Sequence, residues 1–176
     1  YESSGTLKQM GVSAEQFLEM WNQALTTVEV LLPALLLVSS AAVAFVNYVL
    51  ANVIFTKLKI ELPPMVPFRK WRLPWWHIWI FTAAFALAFI GSRVLYQYPL
   101  IGTIGKNILV FYVPVFVVQG LAVTSHLIYN SPKERRRLYR IMLLVGFFLL
   151  FSGFIIVMCA IGIFDTVFDY RKLGTD

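Results

Sequence analysis

Long apolar runs with very few charges are the feature that most constrains how this chain can fold. Four of them lie at about residues 28–55, 75–96, 104–129 and 141–164. A helix of roughly 20 apolar residues crosses the hydrocarbon core of a bilayer, which is about 30 Å thick. Backbone groups in lipid must be hydrogen-bonded within the protein, and helices meet this need within one segment. The runs therefore predict an all-α integral membrane protein with a bundle of about four transmembrane helices.

The composition argues against a water-soluble domain. Hydrophobic residues make up 59% of the 176 residues and charged residues only 14%, and the mean hydropathy is +0.74. Soluble domains are about a quarter charged. The net charge of +6 is concentrated in short clusters between the apolar runs, which is typical of membrane topology. The expected partner is therefore the lipid bilayer and not nucleic acid.

A capping-box pattern predicts where the first helix begins. Ser13 and Gln16 are residue types that satisfy the free amides of a first helical turn. Apolar residues follow at helical spacing up to Leu25, which predicts an amphipathic helix at the membrane interface before the first span. Three regions are predicted: a polar segment 1–26 containing this helix, a four-helix transmembrane domain 27–165, and a polar tail 166–176. Because the chain begins at Tyr1, further helices are expected to precede it.

Two basic loops predict the orientation. Four prolines within residues 61–74 exclude a continuous helix there, and residues 130–140 carry the second basic cluster. Two basic loops separated by two spans belong on one side, which the positive-inside rule makes cytoplasmic, with both ends of the chain facing outward. The expected location is the bacterial cytoplasmic (inner) membrane. The residues predicted to form a cytoplasmic interface are Arg69, Trp71, Arg72, Arg135, Arg136 and Arg137.

Small residues predict where helices pack closely. Gly146, Gly153 and Ala160 recur every seven residues on the fourth run, and Ala84 and Ala88 lie one turn apart on the second. Small side chains let helix backbones approach, so that dispersion can hold helices together in lipid. These faces are interpreted as seams within the bundle. A seam between two copies of the chain on the fourth run is the alternative.

Polar residues within the apolar runs are the candidate ligand-binding groups, because such residues are costly in lipid and often functional. The predicted cavity-lining residues are Asn47, Tyr48, Asn52 and Gln119. The alternative is that each only hydrogen-bonds between helices. Arg93 is expected to pair with Glu29 or with Asp165 near the outer surface, or else to meet lipid headgroups.

No pattern of catalytic, cofactor-binding or metal-ligating residues is present in the sequence. The stretch from Gly102 to Asn107 approaches a phosphate-binding loop, but its spacing fails and Asn107 stands where Ser or Thr is needed. Cys159, the single cysteine, lies within an apolar run and is interpreted as a small buried hydrophobe. The sequence therefore predicts a protein that is not an enzyme and takes no cofactor.

Two segments resemble a known family. The proline-rich loop over residues 63–74 and the segment 162–171 (GIFDTVFDYR) are similar to those of the YybS-like family of bacterial polytopic membrane proteins. The resemblance covers the C-terminal half of a typical member, and implies about eight spans in the whole protein. The family is also distantly similar to the substrate-binding S-components of energy-coupling-factor vitamin transporters.

Two functions are consistent with these observations. The first is a transport-related protein that binds a small solute in its helix bundle and has no ATPase activity of its own, with ATPase subunits as partners. The second is a non-catalytic membrane subunit or scaffold whose rigid proline-rich loop and basic loop dock a larger complex.

Overall fold

The described residues of the computed structural model, 13–60, 66–95 and 97–173, are helical with short connections. They form five α-helices and one 3₁₀ turn, which confirms the all-α fold class. The elements are α1 (Ala14–Lys57), the 3₁₀ turn (Phe68–Lys70), α2 (His77–Arg93), α3 (Pro99–Asn130), α4 (Lys133–Leu149) and α5 (Phe151–Phe168).

Three of these helices, α1, α3 and α5, are long and apolar enough to cross a bilayer. Helix α2 is apolar but has 17 residues, at the lower end of the lengths that span a hydrocarbon core. The chain is therefore a multi-pass membrane protein. Helices α1, α2 and α3 correspond to the first three predicted runs, and α5 contains the second half of the fourth.

Helix α1 begins where the sequence predicts, but it is one helix of 44 residues. Ser13 Oγ accepts from Gln16 N, and Gln16 Oε1 accepts from Ser13 N, so the predicted capping box is confirmed. The predicted amphipathic segment is not a separate helix, and the boundary at residues 26 and 27 falls inside α1. The helix is continuous because Pro33 is the only helix-breaking residue within residues 14–57, and the structure accommodates it.

The accommodation of Pro33 depends on Asn107, which lies on α3. Proline lacks an N–H and disturbs the hydrogen bonds of the preceding turn. Asn107 Oδ1 accepts from Ala34 N at 3.0 Å, and Asn107 Nδ2 donates to Val30 O at 2.8 Å. Ala34 N and Val30 O are the two groups that a regular helix pairs with each other. One side-chain amide therefore supports the turn that contains Pro33 and fixes α1 to α3.

Replacing Asn107 with leucine is expected to lower the free energy of unfolding by about 1–3 kcal/mol, because partly buried backbone groups of α1 lose a partner. Asn47 is the matched control, because it is an asparagine exposed on α1. Asn47→Leu should change the free energy of unfolding by less than about 0.5 kcal/mol. Thermal unfolding of both variants in mild detergent measures the difference. Equal stability of the two variants would refute a structural role for the Asn107 amide.

Helix α3 is the centre of the bundle and packs against the other four helices. Most of the buried apolar side chains belong to it, including Tyr112, Phe116 and Val123. Helix α2 runs antiparallel to α3, since Gly91 meets Gly102 while Ala84 and Ala88 meet Gly105. The predicted packing role of Ala84 and Ala88 is thereby confirmed. A Cβ on Gly105 would collide with the backbone of Ala88, so these two helices approach more closely than larger residues permit.

Helix α5 runs parallel to α3, since its C-terminal end lies beside His126 and Asn130, and it approaches α3 at two glycines. A Cβ on Gly120 would collide with the carbonyl of Met158, and a Cβ on Gly162 would collide with the carbonyl of Phe116. The seam of α5 therefore lies at Gly162 and not along the predicted stripe. A Cβ on Gly153 would meet nothing within 4 Å, and one on Gly146 would meet only a side-chain atom of Phe154. A seam between two copies of the chain stays a prediction.

The predicted fourth span is divided at Leu150, where φ is −126° and ψ is 46°. Residues 133–149 form α4, and α5 begins at Phe151. The ring of Phe147 contacts the rings of Phe151 and Phe154 across the bend, with centroids 5.3 and 5.5 Å apart. The run contains no proline at this point, so hydropathy alone gave no sign of a break. The predicted boundary at residues 165 and 166 likewise falls inside α5.

Residues 66–76 lie along the C-terminal half of α3. Arg69 lies over the ring of Tyr129, with its guanidinium carbon 3.8 Å from the ring centroid. Further on, His77 Nδ1 lies 2.9 Å from Tyr112 Oη. Tyr129 and Tyr112 are about 25 Å apart along a helix axis. A segment that is mostly not α-helical therefore runs beside a membrane-spanning helix for much of its length.

Candidate functional site: a buried ion pair and the cleft beside it

A buried ion pair joins the end of α5 to the segment that follows it. Arg171 Nη2 lies 2.8 Å from Asp165 Oδ2, and the two side chains are 1% and 2% exposed. Arg171 Nε also contacts both oxygens of Asp165, at 3.3 and 3.2 Å. Gln119 Nε2 on α3 donates to Asp165 Oδ2 at 2.8 Å. We call these three residues the Asp165 cluster.

The remaining donors of Arg171 bind backbone carbonyls of the proline-rich loop. Nη1 donates to Arg69 O at 2.9 Å, and Nη2 donates to Trp71 O at 2.7 Å. Irregular backbone beside a membrane-spanning helix is tolerated only where protein or water satisfies its polar groups. The planar guanidinium, with five N–H donors in a fixed arrangement, can bind a carboxylate and two carbonyls together. The Asp165 cluster therefore holds residues 69–71 against α3 and α5.

Local backbone geometry brings Arg171 back onto Asp165. Asp169 ends α5 in the left-handed region, with φ 46°, and its N–H donates to Asp165 O at 2.9 Å. Lys172 also has positive φ, at 49°. This tight reversal after α5 lets two residues only six positions apart form the pair. Aspartate is among the residue types that adopt this conformation most readily.

A second, more exposed set of contacts surrounds the cluster. Arg72 Nη2 lies 3.5 Å from Asp169 Oδ2, with both side chains about a third exposed. Trp71 Nε1 donates to Val66 O at 3.0 Å, and the Trp71 ring packs edge-on against Phe45 of α1 and against Phe68. The loop is therefore fixed on both sides, by the buried pair and by its own tryptophan.

A cleft of about 780 Å³ lies between α1, α3 and the segment 66–73, and we call it the α1–α3 cleft. Its polar lining consists of Gln119, Lys70 and Arg72. Since Asp165 Oδ2 only accepts, Gln119 Nε2 must face it. Gln119 Oε1 makes no hydrogen bond to another described residue and is left as an acceptor. The apolar walls include Val38, Ala42, Phe45, Phe111, Val115 and Val118.

Of the four predicted cavity residues, the structure places Gln119 in this cleft and the others elsewhere. Asn47 and Tyr48 are exposed on α1, and Asn52 is half-buried further along the same helix. None of these three lines the cleft. Asn47 leaves α1 on the face opposite Val38, whereas Asn52 lies two turns beyond Phe45 on nearly the same face, about 10 Å further along the axis.

The predicted interface residues divide into two groups. Arg69, Trp71 and Arg72 are engaged within the molecule through the contacts described above. Arg135 and Arg137 are exposed on the first turns of α4, whereas Arg136 donates from Nε to Ser131 O at 2.9 Å. The exposed pair is the part of the prediction that the structure leaves open for contact with other molecules.

The predicted ion pairs of Arg93 are wrong. The two salt bridges among the described residues are Arg171–Asp165 and Arg72–Asp169. The sequence placed the end of the fourth span on the side opposite the first basic loop, whereas in the structure Arg171 contacts that loop. The reason is the bend at Leu150, which turns α5 back so that it ends beside Asn130, at the same end of α3 as Arg69.

Sequence reasoning missed the role of Asn107, the burial of Asp165 and Arg171, and the contact of Arg171 with the proline-rich loop. Asp165 and Arg171 did belong to the segment that resembles a known family, and so did the loop they bind, which was the available signal. In the part of the chain that the structure describes, no three His, Cys, Asp or Glu side chains are grouped to hold a metal ion.

The family described as predicted membrane protein DUF2232 matches residues 2–166. The chain belongs to this family. The match to DUF2232 includes all four apolar runs, the proline-rich loop and Asp165, while Arg171 lies just beyond it. No curated protein and no solved structure matches the chain.

Membership of the DUF2232 family supports a membrane protein and assigns no activity to it. In the Asp165 cluster, Arg171, Asp165 and Gln119 Nε2 are engaged in the hydrogen bonds described above, which leaves Gln119 Oε1 as the free acceptor. The cleft beside it is the place where a further molecule finds polar groups within apolar walls.

Proposed function

We propose that this chain is a transport-related protein of the bacterial cytoplasmic membrane that binds a small, largely apolar solute in the α1–α3 cleft. The proposal includes no catalytic or ATPase activity of its own. The observation that carries it is the cleft of about 780 Å³, apolar except for Gln119, Lys70 and Arg72. Ligand sites commonly have volumes of about 300–1,000 Å³, with apolar walls and a few polar groups.

The polar groups favour a solute with a negative charge or acceptor at one end. Lys70 and Arg72 lie on the loop that covers the cleft, and the free acceptor of Gln119 lies deeper. The resemblance to the YybS-like family, and its distant likeness to vitamin-binding S-components of energy-coupling-factor transporters, supports a transport role. Separate ATPase subunits would then supply the energy.

A substitution that fills the cleft tests the proposal. Ala42→Trp places a large ring in the cleft, whereas Ala44→Trp adds the same ring on another face of α1. The full-length protein is extracted gently from its own membrane, and native mass spectrometry records any retained small molecule. We expect retention in the wild type and in A44W, and loss of at least about 90% of it in A42W, because the ring occupies the solute's volume.

The same measurement can contradict the proposal. Absence of any small molecule in the wild type, or equal retention in A42W and A44W, would remove the cleft as a solute site. Thermal unfolding of both variants shows that each is folded before their retention is compared.

A docking subunit is the second candidate function. It is favoured by the exposed arginines at the start of α4. It is also favoured by the exposure of α1, since Ala34 is the only buried residue among the described residues 14–57. Unrelated polypeptides retained in constant ratio, with no small ligand, would support this function. Their release on replacing Arg135, Arg136 and Arg137 would map the interface.

A further inference from the structure

A second groove, of about 480 Å³, lies where the 3₁₀ turn and α4 meet the end of α3. We call it the basic groove. Arg69 enters it from the 3₁₀ turn and Arg140 from α4, and Tyr129 and Ser125 of α3 form part of its floor. It shares Arg69 with the loop described above, but none of its lining residues lines the α1–α3 cleft.

The basic groove carries positive charge without a matching carboxylate. Neither Arg69 nor Arg140 belongs to either of the two salt bridges found in residues 13–60, 66–95 and 97–173. No acidic residue lines the groove. Arg136 adds a third cation beside Tyr129. Its guanidinium carbon lies 5.2 Å from the centroid of the Tyr129 ring, and that of Arg69 lies 3.8 Å from the same centroid. Arginine guanidinium groups bind phosphate oxygens with paired N–H donors.

The polarity of the groove changes along its length. Its charged end is at Tyr129, one residue before α3 ends at Asn130. Leu121 lies two turns deeper on α3, about 12 Å along the axis, and Leu143 of α4 also lines the groove. Cations therefore lie at the membrane-surface end and apolar side chains lie towards the interior. A phospholipid has the same order, with its phosphate at the surface and its acyl chains below.

We propose that the basic groove is a binding site for an anionic phospholipid. Arg69 and Arg140 bind the headgroup phosphate, and an acyl chain lies along Leu121 and Leu143. The cytoplasmic leaflet is the anionic one, and the two basic loops that form the groove are the ones that the positive-inside rule places there. The site is independent of the solute proposed for the α1–α3 cleft.

Lipid retention in native mass spectrometry tests the site. The full chain is reconstituted in nanodiscs of equal parts phosphatidylcholine and phosphatidylglycerol, and then released from them for measurement. We expect the wild type to retain phosphatidylglycerol in preference to phosphatidylcholine. Arg69→Gln with Arg140→Gln should weaken that retention about 30-fold, because each cation near an anionic headgroup contributes roughly fivefold.

The matched control removes the same charge from the same region. Arg135→Gln with Arg137→Gln changes two exposed arginines of α4 that do not line the groove, and we expect it to weaken retention by no more than about threefold. Arg140→Gln alone should weaken retention about fivefold. Arg140 makes no hydrogen bond or ion pair to another described residue, so this variant is expected to fold normally.

Three results would overturn the proposal. Equal losses in the two double variants would mean that general surface charge, and not the groove, holds the lipid. Equal retention of phosphatidylcholine and phosphatidylglycerol would mean that headgroup charge is not recognised. Displacement of the lipid by inorganic phosphate, with phosphate alone raising the thermal stability of the wild type but not of the groove variant, would identify a phosphate-ion site instead.

Discussion

Replacing Arg171 with methionine is expected to lower the free energy of unfolding by about 3–5 kcal/mol, the cost of breaking a buried ion pair by removing one partner. Asp165 would remain as a buried carboxylate with Gln119 as its remaining side-chain donor. The carbonyls of Arg69 and Trp71 would also lose their charged donor. Thermal or denaturant unfolding of the purified protein in mild detergent measures the loss.

Arg72→Met is the matched control, because it also removes an arginine paired with an aspartate in this region. The pair of Arg72 with Asp169 is longer, at 3.5 Å, and both side chains are about a third exposed. Exposed pairs contribute about 0–1 kcal/mol, so this variant should stay close to the wild type. Similar losses in the two variants would contradict the special role of the Asp165 cluster.

Arg171→Lys refines the same experiment. Lysine keeps the positive charge but presents its donors from one point, whereas arginine reaches Asp165, Arg69 O and Trp71 O with a planar group. We expect an intermediate loss of stability together with greater protease sensitivity of the loop around Arg69. If lysine restored full stability, charge alone would explain the cluster and the carbonyl contacts would contribute little.

Replacing Gly162 with alanine is expected to lower the free energy of unfolding by about 1–3 kcal/mol, the usual cost of overpacking a close contact. A Cβ at this position would collide with the carbonyl of Phe116 and lie 3.0 Å from Gly120 N. Both atoms belong to the backbone of α3, so the helices must separate instead of a side chain turning aside. Their separation would also lengthen the contact between Gln119 and Asp165.

Gly153→Ala provides the control on the same helix. A Cβ at Gly153 would meet nothing within 4 Å, and alanine has the higher helix propensity by about 1 kcal/mol. This variant should therefore be as stable as the wild type or slightly more stable in the same unfolding measurement. A loss at Gly153 equal to that at Gly162 would contradict the placement of the α3–α5 seam and favour the stripe predicted from the sequence.

How much of the protein follows from its sequence can be seen in α1. Its first residue was predicted from Ser13 and Gln16, because a capping box satisfies amides within a single turn and needs no other part of the chain. Its unbroken course from the amphipathic segment through Pro33 into the first span was not predicted. That continuity depends on Asn107, more than 70 residues away, and no local pattern identifies such a partner.

The same distinction separates the polar residues of the spans. Asn47, Asn107 and Gln119 all lie in apolar surroundings in the sequence, and nothing local ranks one above another. The structure leaves Asn47 exposed, uses Asn107 to support α1, and joins Gln119 to Asp165. Which of them is buried depends on which face of each helix meets a neighbour, and that is decided by backbone approach at glycines such as Gly120 and Gly162.

By itself the sequence determined that this chain is an all-α membrane protein, where its first three apolar helices lie and that a proline-rich segment separates the first two. These properties follow from the thickness of the bilayer and from the geometry of proline, neither of which depends on the rest of the fold. Only the tertiary structure decided that Arg171 returns to Asp165, that the proline-rich loop lies along α3 and that a cleft opens beside Gln119. Each of these depends on contacts between distant segments, where the gain from burying and pairing polar groups exceeds what any local preference can specify.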